Sequence, residues 1–375
     1  MAVISFKCPN CDGELIFDPS TQKYKCEYCS SLFSQEELDA MNPAAAEEKQ
    51  ENTEDAAASG WTENESAAAG GQEDEQDAAG AECETEEAVR YSCPSCGAEI
   101  VTGATTAASF CYYCHNPVVL QGRVSGKYLP NKIIPFEVTK DAAVQGFLDY
   151  VGKKKFVPRA FFHKKQIESM TGVYFPYWLY DVDLEGNMQA EARNVRVWRT
   201  GDVEHTETKF YAVRREGDVE LRNLPENALQ KANAKLASGV MPYDFKKMKD
   251  FNMGYLSGFM AERRDIEQEN VRGKMQAEMR ESAKKLMRET INGYNSVSVR
   301  SANFRPKHEK WSYVLLPVWT ITYKAKNGKI YYYSMNGQNG KVCGELPVDH
   351  GKLALTSILA GLAVLVIGLI GGFFI

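Results

Sequence analysis

The sequence lacks the short motifs that mark several common enzyme classes. It contains no phosphate-binding loop, because no Gly-Lys pair is followed by serine or threonine; Gly126-Lys127, for example, precedes Tyr128, and Gly340-Lys341 precedes Val342. The patterns His-Glu-x-x-His and Gly-x-Ser-x-Gly are also absent. We therefore predict a non-enzymatic protein, and an unrecognised activity of its largest domain is the alternative that stays open.

Charge is missing from the last 23 residues, Leu353 to Ile375. A helix of this length rises about 34 Å, enough to cross a hydrocarbon core of about 30 Å. We predict a transmembrane helix over 353–375. Because Lys341 and Lys352 precede it and no basic residue follows, we expect a single pass through the cell membrane with the N-terminal bulk in the cytoplasm. The spacing of Gly368 and Gly372 favours self-association of this helix.

Basic residues are nearly missing between Glu36 and Arg90. This segment holds 18 acidic residues against Lys49 and Arg90, so its net charge is −16. Because the whole chain carries −6, the remainder carries +10. Alanine, glutamate, aspartate and glycine dominate the segment, and such a composition cannot bury enough apolar surface to offset chain entropy. We predict an acidic, disordered linker over 35–90.

Cysteine, by contrast, is concentrated in two similar stretches. CPNCDGELIFDPSTQKYKCEYC begins at Cys8, and CPSCGAEIVTGATTAASFCYYC begins at Cys93, 85 positions later. Each stretch holds two Cys-x-x-Cys pairs at the same spacing, which indicates an internal repeat of one module, over 5–34 and 91–122. The predicted metal ligands are Cys8, Cys11, Cys26, Cys29, Cys93, Cys96, Cys111 and Cys114.

Four cysteines at this spacing are typical of structural zinc. Tetrahedral Zn²⁺ takes four thiolates at about 2.3 Å, and a two-residue spacer lets one tight turn supply two of them. Fourteen residues separate the pairs, which suits a short hairpin, so we predict two zinc ribbons. Since cysteine fills all four positions, no position is left for a reacting water. We expect two structural zinc ions and no catalytic residue; iron in a four-thiolate site is the alternative. Thiolates of this kind require a reducing compartment such as the cytoplasm.

Residues 123–350 predict an α+β body with a mostly antiparallel sheet and a helical insertion. KIIPFEVTKDAAVQGFLDYV predicts a strand followed by a helix, and GVYFPYWLYDVDLEG and MQAEARNVRVWRT predict strands. Proline precedes tryptophan by two residues in both YFPYWLYDVD and LLPVWTITYK. We interpret this as a sign of two related sheet halves, with Pro176 and Pro317 at strand starts because proline cannot donate to a ladder.

Helical periodicity appears in ENALQKANAKLASG and in AERRDIEQENVRGKMQAEMRESAKKLMRETIN. The second stretch has an apolar stripe at i, i+4 spacing, which predicts one buried helix face. The stripe comprises Val271, Met275, Met279, Ser282/Ala283, Leu286 and Thr290.

Neither cysteine module has the cationic surface that phosphate binding requires. The stretch from Ser5 to Phe33 contains three lysines and four acidic residues. The stretch from Tyr91 to Gln121 has no lysine or arginine. We therefore do not expect nucleic acid as the main partner. Basic residues of the body, such as Lys153–Lys155 and the lysines at 246, 247 and 249, fit scattered surface charge best. On a membrane-anchored protein they would meet anionic lipid headgroups more naturally than nucleic acid.

These features together resemble a bacterial family of membrane proteins with TFIIB-type zinc ribbons. The resemblance is carried by the two cysteine quartets, GVYFPYWLYD, MPYDFKKMKDFNMGYLSGFMAE, LLPVWTITY and YYYSMNGQNGKVCGELP. Members carry labels such as primosomal protein or superfamily II helicase. Some relatives are similar to components of phage-shock-type envelope-stress modules that recruit a peripheral membrane protein, which implies a scaffold role.

The sequence thus predicts a membrane-anchored, cytoplasm-facing zinc-ribbon adaptor. In this prediction the first ribbon is a small separate tip, and the acidic linker is the flexible arm that carries it. Its expected partners are the lipid bilayer and a protein, of which a peripheral membrane stress protein is the example that the resemblance implies. The alternative is a nucleic-acid-binding zinc-ribbon protein at the membrane, associated with replication or transcription.

Overall fold

The structure is a computed structural model that describes residues 3–4, 6–41, 89–93, 99–103, 105–111, 116–120, 123–124, 126–158, 169–230, 239–324 and 329–373. These residues form a mixed α/β protein made mostly of sheet, with an apolar helix at its carboxyl end. The predicted combination of helix and mostly antiparallel sheet is confirmed. Most of the predicted acidic linker, 42–88, lies outside the described residues, whereas its start, 35–41, is helical.

The described ranges contain sixteen strands and four α-helices. The strands are β1 Val3–Ile4, β2 Leu15–Asp18, β3 Lys23–Cys26, β4 Leu32–Phe33, β5 Val89–Ser92, β6 Glu99–Thr102, β7 Thr106–Phe110, β8 Pro117–Leu120, β9 Lys132–Ile133, β10 Thr171–Thr200, β11 Val203–Asn227, β12 Lys249–Asp250, β13 Met260–Glu262, β14 Ser296–Lys324, β15 Ile330–Asn336 and β16 Val342–Gly344. The helices are α1 Gln35–Met41, α2 Lys140–Gly152, α3 Gln268–Glu289 and α4 His350–Phe373.

One sheet of eleven strands organises the molecule. Its main path runs β1-β8-β7-β13-β10-β14-β15-β16, with β11 beside β10, β9 beside β14 and β12 beside β9. Two smaller sheets, β2-β3-β4 and β5-β6, belong to the cysteine modules. All ladders are antiparallel except β10 with β13 and β14 with β9, which are parallel. The two parallel ladders join segments distant in sequence, so local patterns did not predict them.

Strands β10, β11 and β14 form a long blade. They contain 30, 25 and 29 residues, which correspond to about 80–100 Å at about 3.3 Å per residue. β10 is central, and β14 ends its pairing opposite Arg193 while β11 continues to the turn after Thr200. Beyond Arg193 the blade is therefore a two-stranded hairpin of β10 and β11. Residues 194–211 are called the blade tip. The sequence predicted β10 as two separate strands, but its pairing with β11 and β14 continues through Gly186 and Asn187.

Helix α3 covers one face of the blade. Its buried side chains repeat every four residues, which places them on one side of the helix. They are Val271, Met275, Met279, Ala283 and Met287. The predicted stripe is thus confirmed as far as Ala283, but Met287 continues it, and Leu286 is exposed. The helix begins at Gln268, later than predicted, because Met260–Glu262 pairs with β10 and β7 instead.

Pro176 and Pro317 lie where their strands change neighbours. β10 pairs with β13 as far as Tyr174 and with β11 from Tyr177 onward, so Pro176 falls between the two ladders. β14 likewise changes from β9 to β15 on either side of Pro317. Because proline has no N–H to donate, such a position costs no ladder bond. The expectation that these prolines start strands is wrong, although the missing donor still explains where they lie.

A single residue, Ala228, joins three segments near Pro176 through its backbone. The N–H of Ala228 donates to the carbonyl of Pro176 at 3.1 Å, and the carbonyl of Ala228 accepts from Asp265 at 3.0 Å and Ile266 at 3.2 Å. The indole Nε1 of Trp178 donates to the carbonyl of Ile266 at 2.9 Å. These bonds fix the end of β11 and the segment after β13 to the central strand.

The same network recurs near Pro317. The N–H of Gly337 donates to the carbonyl of Pro317 at 2.8 Å, and the carbonyl of Gly337 accepts from Glu137 at 2.9 Å and Val138 at 2.8 Å. Trp319 Nε1 donates to the carbonyl of Val138 at 2.9 Å. The prediction of two related sheet halves is therefore confirmed. The first half comprises β9, α2, β10 and β11, and the second comprises β13, α3, β14 and β15.

The two halves exchange their short strands. β9 precedes α2 in the first half but pairs with β14 of the second. β13 precedes α3 in the second half but pairs with β10 of the first. Each half thus completes the sheet of the other, so the body is one folding unit.

The repeated indole bonds predict a stability effect. Trp178→Phe and Trp319→Phe should each lower the free energy of unfolding by about 1–3 kcal/mol, because each change leaves a backbone carbonyl without its donor. Trp311→Phe is the matched control, since Nε1 of Trp311 has no partner among the described residues. Chemical denaturation in detergent micelles measures all three. An equal loss for Trp311→Phe would show that ring packing, not the indole bond, matters.

Candidate metal centre

The first cysteine module brings four sulfur atoms to one point. The Sγ atoms of Cys8 and Cys29 lie 3.6 Å apart, and those of Cys11 and Cys26 lie 3.5 Å apart. All four sulfurs lie within 4.8 Å of one another. Sulfurs bound at about 2.3 Å to one tetrahedral ion would be about 3.8 Å apart. The donor set and its spacing therefore fit a single metal ion.

Two similar tight turns present these cysteines. Cys8 donates its N–H to the carbonyl of Gly13 at 2.6 Å and accepts from the N–H of Asp12 at 2.9 Å. Cys26 makes the equivalent bonds to the residues five and four positions on, at 2.9 and 3.0 Å. The fourth residue of each turn has a left-handed backbone, with φ of 60° at Asp12 and 58° at Ser30. Asp and Ser are short polar residues, and aspartate tolerates this conformation well.

The sulfurs differ in burial and in proton affinity. Cys8 and Cys26 are buried, whereas Cys11 and Cys29 are exposed. Burial raises the pKa of Cys8. The hydroxyl and the N–H of Ser31 stabilise the thiolate of Cys29 and lower its pKa to about 6. Without metal, Cys29 is therefore the thiolate that forms at neutral pH, and a bound cation would displace the remaining protons.

The first module is packed into the body. Phe17 meets the ring of Tyr255 edge-on at 5.1 Å, and its N–H donates to the carbonyl of Ser257 at 3.1 Å. The Ser257 hydroxyl donates to the carbonyl of Leu15 at 2.5 Å. Six side chains of the module belong to the largest hydrophobic core: Cys8, Leu15, Phe17, Tyr24, Cys26 and Phe33. The expectation that this module is a separate tip on a flexible arm is therefore wrong, because its hairpin shares the core of the body.

Sequence reasoning missed the residues that receive this module. Gly254 lies under Tyr24, and a Cβ at Gly254 would lie 2.5 Å from the Tyr24 Oη. Ser257 and Tyr255 complete the surface, as described above. All three belong to the stretch MPYDFKKMKDFNMGYLSGFMAE. The closely spaced glycines and aromatic residues of this stretch could have indicated a contact surface. No pattern in the sequence identifies the segment that packs on it.

The second module repeats the first as far as the described residues extend. Cys111 donates its N–H to the carbonyl of Asn116 at 2.9 Å, as Cys26 does to Ser31, 85 positions earlier. Ser92 pairs with Glu99, as the residues 85 positions earlier do. Cys93 and Cys111 are buried in one cluster. Cys96 and Cys114 lie outside the described residues, so the second four-cysteine site stays a prediction.

The two modules are joined to each other and to the blade. β1 of the first module pairs with β8 of the second, and β7 of the second pairs with β13 of the body. Lys7 Nζ lies 2.6 Å from Glu14 Oε1, and the Asn116 side chain donates to the same oxygen at 3.4 Å. The second module is therefore part of the eleven-stranded sheet.

Helix α4 differs from the other helices in its surroundings. Its segment His350–Leu369 has a mean hydropathy of 2.2, and none of it is buried against the rest of the described chain. By length and composition it is able to cross a membrane.

The site and the fold define a class: a mixed α/β protein with a four-cysteine cluster at the edge of its core and one apolar helix left exposed. A relative from Bacillus subtilis (strain 168), named uncharacterized protein YdjG, is 31% identical over 352 residues, covering 94% of this chain and 92% of the relative. The chain belongs to the family of that protein. No protein-family profile matches the chain. No solved structure matches it either.

The seat of Tyr24 predicts the effect of filling it. Gly254→Ala should destabilise the docking of the first module by about 1–3 kcal/mol, because the added methyl overlaps a buried ring. Hydrogen exchange over residues 15–26 should accelerate while the metal content of the protein stays unchanged. Gly273→Ala is the control, since a Cβ there meets open space on α3. Equal exchange in both variants would contradict the role given to Gly254.

Proposed function

We propose that this chain is a non-enzymatic adaptor that is held at the cytoplasmic face of the cell membrane by α4 and presents a protein-binding surface on its blade. Its two cysteine modules each hold one structural zinc ion as TFIIB-type ribbons. The adaptor recruits a protein partner to the membrane, and the resemblance described above implies a peripheral membrane protein of an envelope-stress response.

The distribution of exposed apolar side chains carries this proposal. Large apolar patches on a protein surface mark contacts with membranes or other proteins. Among the described residues, most large exposed apolar side chains lie either on α4 or on the blade tip. Those on the blade tip are Val195, Val197, Trp198, Val203, Phe210 and Tyr211. By the register of β10 with β11, Val195, Val197 and Phe210 share one face of the hairpin. This face suits a partner protein, whereas the surface of α4 suits a bilayer.

The geometry of the cysteine cluster supports a structural role for the metal. Four sulfurs fill the tetrahedral positions, so no ligand position is left for a substrate or a reacting water. Cys8 and Cys26 are also part of the core that joins the module to the body. A metal bound at this point would stabilise the fold, and the bound ion itself would supply cross-linking rather than chemistry.

The charge pattern of the blade argues against the nucleic-acid alternative. Phosphate binding requires a cationic surface with free lysine or arginine side chains. Four cations of the blade are instead paired across strands with carboxylates, and these pairs interrupt a cationic surface there. The pairs are Arg300–Glu191, Arg305–Glu185, Lys307–Asp218 and Arg222–Asp183. The net positive charge of the chain outside the acidic segment therefore does not form one continuous surface on the blade.

Metal content tests the two ribbons. The purified full chain should contain about two zinc ions, one for each four-thiolate site. Cys26→Ser should lower the content to about one, whereas Cys343→Ser, a cysteine outside the cluster, should leave it unchanged. Elemental analysis with protein quantitation gives the ratio. A content of about one zinc ion per unchanged chain would contradict the second site. Iron found in place of zinc would change the identity of the proposed metal.

Partner capture tests the blade tip. From detergent-solubilised membranes, the full chain should retain a partner that the double variant Val197→Ser/Phe210→Ser loses, because both side chains are exposed on the tip. Leu286→Ser removes an exposed apolar side chain from α3, away from the tip, and should keep the partner. Quantitative mass spectrometry compares the three. The same partners in all three samples would contradict the role of the tip.

A further inference from the structure

The segment after α2 contacts the first turn of α4, although about 190 residues separate them in sequence. The N–H of Asp349 donates to the carbonyl of Phe156 at 2.7 Å. The Nζ of Lys352 donates to the carbonyl of Val157 at 2.8 Å. The uncharged part of α4 begins at Leu353. Residues 156–157 therefore lie at the level where α4 would enter a bilayer.

Three consecutive lysines, Lys153–Lys155, lead into this contact, and all three are exposed. Within the ranges that the structure describes, none of them forms an ion pair with a carboxylate. The carboxylate of Asp349 is already engaged, because it accepts from the N–H groups of Gly351 and Lys352 and lies 3.8 Å from Lys352 Nζ. No carboxylate of the described chain therefore neutralises the charges of Lys153–Lys155, and the one recorded contact of these ammonium groups is that of Lys154 Nζ, 5.6 Å from the centroid of the Tyr150 ring.

We propose that Lys153–Lys155 bind the phosphate groups of anionic phospholipids, such as phosphatidylglycerol or cardiolipin, beside the point where α4 enters the membrane. The inference rests on the proposed membrane anchoring by α4. The Cα atoms of the three lysines lie at most about 4–11 Å from that of Phe156, given about 3.8 Å per residue. This is comparable with the Debye length of about 8–10 Å at physiological salt, so their charges act on headgroups at this level.

The surroundings select a lipid as the occupant. A free anion would meet only exposed lysines, whereas a headgroup is brought to them by the same helix that contacts residues 156–157. Each lysine close to an anionic surface strengthens binding by about fivefold, so three together give a large preference that salt weakens. The site would orient the body, because α2 is fixed to the sheet through Phe147 and Tyr333, whose rings lie 4.9 Å apart.

A second lysine group provides a matched control. Lys246, Lys247 and Lys249 carry the same number of charges. Lys247 pairs with Glu137 at 2.8 Å, just before the start of α2. α2 has 13 residues and is about 20 Å long, and Lys153 follows its other end. The control group therefore lies about two Debye lengths from the proposed site.

The first experiment measures protection of individual lysines in the full chain. The protein is reconstituted in nanodiscs of phosphatidylcholine alone or with phosphatidylglycerol, and amine labelling is followed by mass spectrometry. Labelling of Lys153–Lys155 should slow severalfold when the anionic lipid is present, and high salt should restore it. Lys246 and Lys249 should label at the same rate in both discs. Equal rates for Lys153–Lys155 in both discs would overturn the proposal.

The second experiment uses variants of the full chain and spin-labelled lipids. The triple variant Lys153→Gln/Lys154→Gln/Lys155→Gln should lose most of the preference for anionic over zwitterionic lipid, and the corresponding change at 246, 247 and 249 should keep it. An equal loss of lipid preference in both variants would show that only net charge matters, and it would reject a lipid site at Lys153–Lys155. A chain that fails to elute with phosphatidylcholine discs would reject the anchoring itself, whereas a chain that inserts without lysine protection would reject only the lipid site.

Discussion

Proline has no N–H to donate, and the body of this protein is built around two places where a strand must change its neighbour. Pro176 and Pro317 each lie between two ladders on one side of their strand, so the missing N–H costs no ladder bond there. The carbonyls of both prolines still accept a bond, from Ala228 and from Gly337. The carbonyls of Ala228 and Gly337 then accept from the segments that lead into the helices. Strand exchange, helix position and the start of the blade all depend on this pair of junctions.

The cysteine modules extend this body rather than stand beside it. The second module continues the main sheet through β7 and β8, and the first covers the segment around Gly254 with an aromatic hairpin. A metal ion at Cys8, Cys11, Cys26 and Cys29 would therefore stabilise more than a small ribbon. Cys8 and Cys26 of that cluster lie in the same core as side chains of β10 and β14.

Repetition made some parts of the structure predictable, and distance in sequence hid the others. The cysteine repeat and the recurring Pro-x-Trp pattern predicted a four-sulfur cluster and two related halves, because both depend on local spacing. The stripe from Val271 to Ala283 predicted the buried face of α3 for the same reason. The pairing of β9 with β14, the docking of Phe17 on Tyr255 and the contact of Phe156 with Asp349 join segments more than 180 residues apart. No periodicity records such contacts, so the sequence alone predicted a free module where the structure has a docked one.

The exchange of short strands also sets the order in which the chain can complete its fold during synthesis. Lys132 in β9 cannot form its ladder until the ribosome has synthesised Val314 in β14, about 180 residues later in the chain. At about 5–20 residues per second, a ribosome needs roughly 10–40 s to supply that partner. Within this interval β10 also remains without β13, because Val173 and its partner Met260 are 87 positions apart. A nascent chain of this protein therefore presents open strand edges for longer than its size suggests, and a chaperone that covers strand edges would act in that interval.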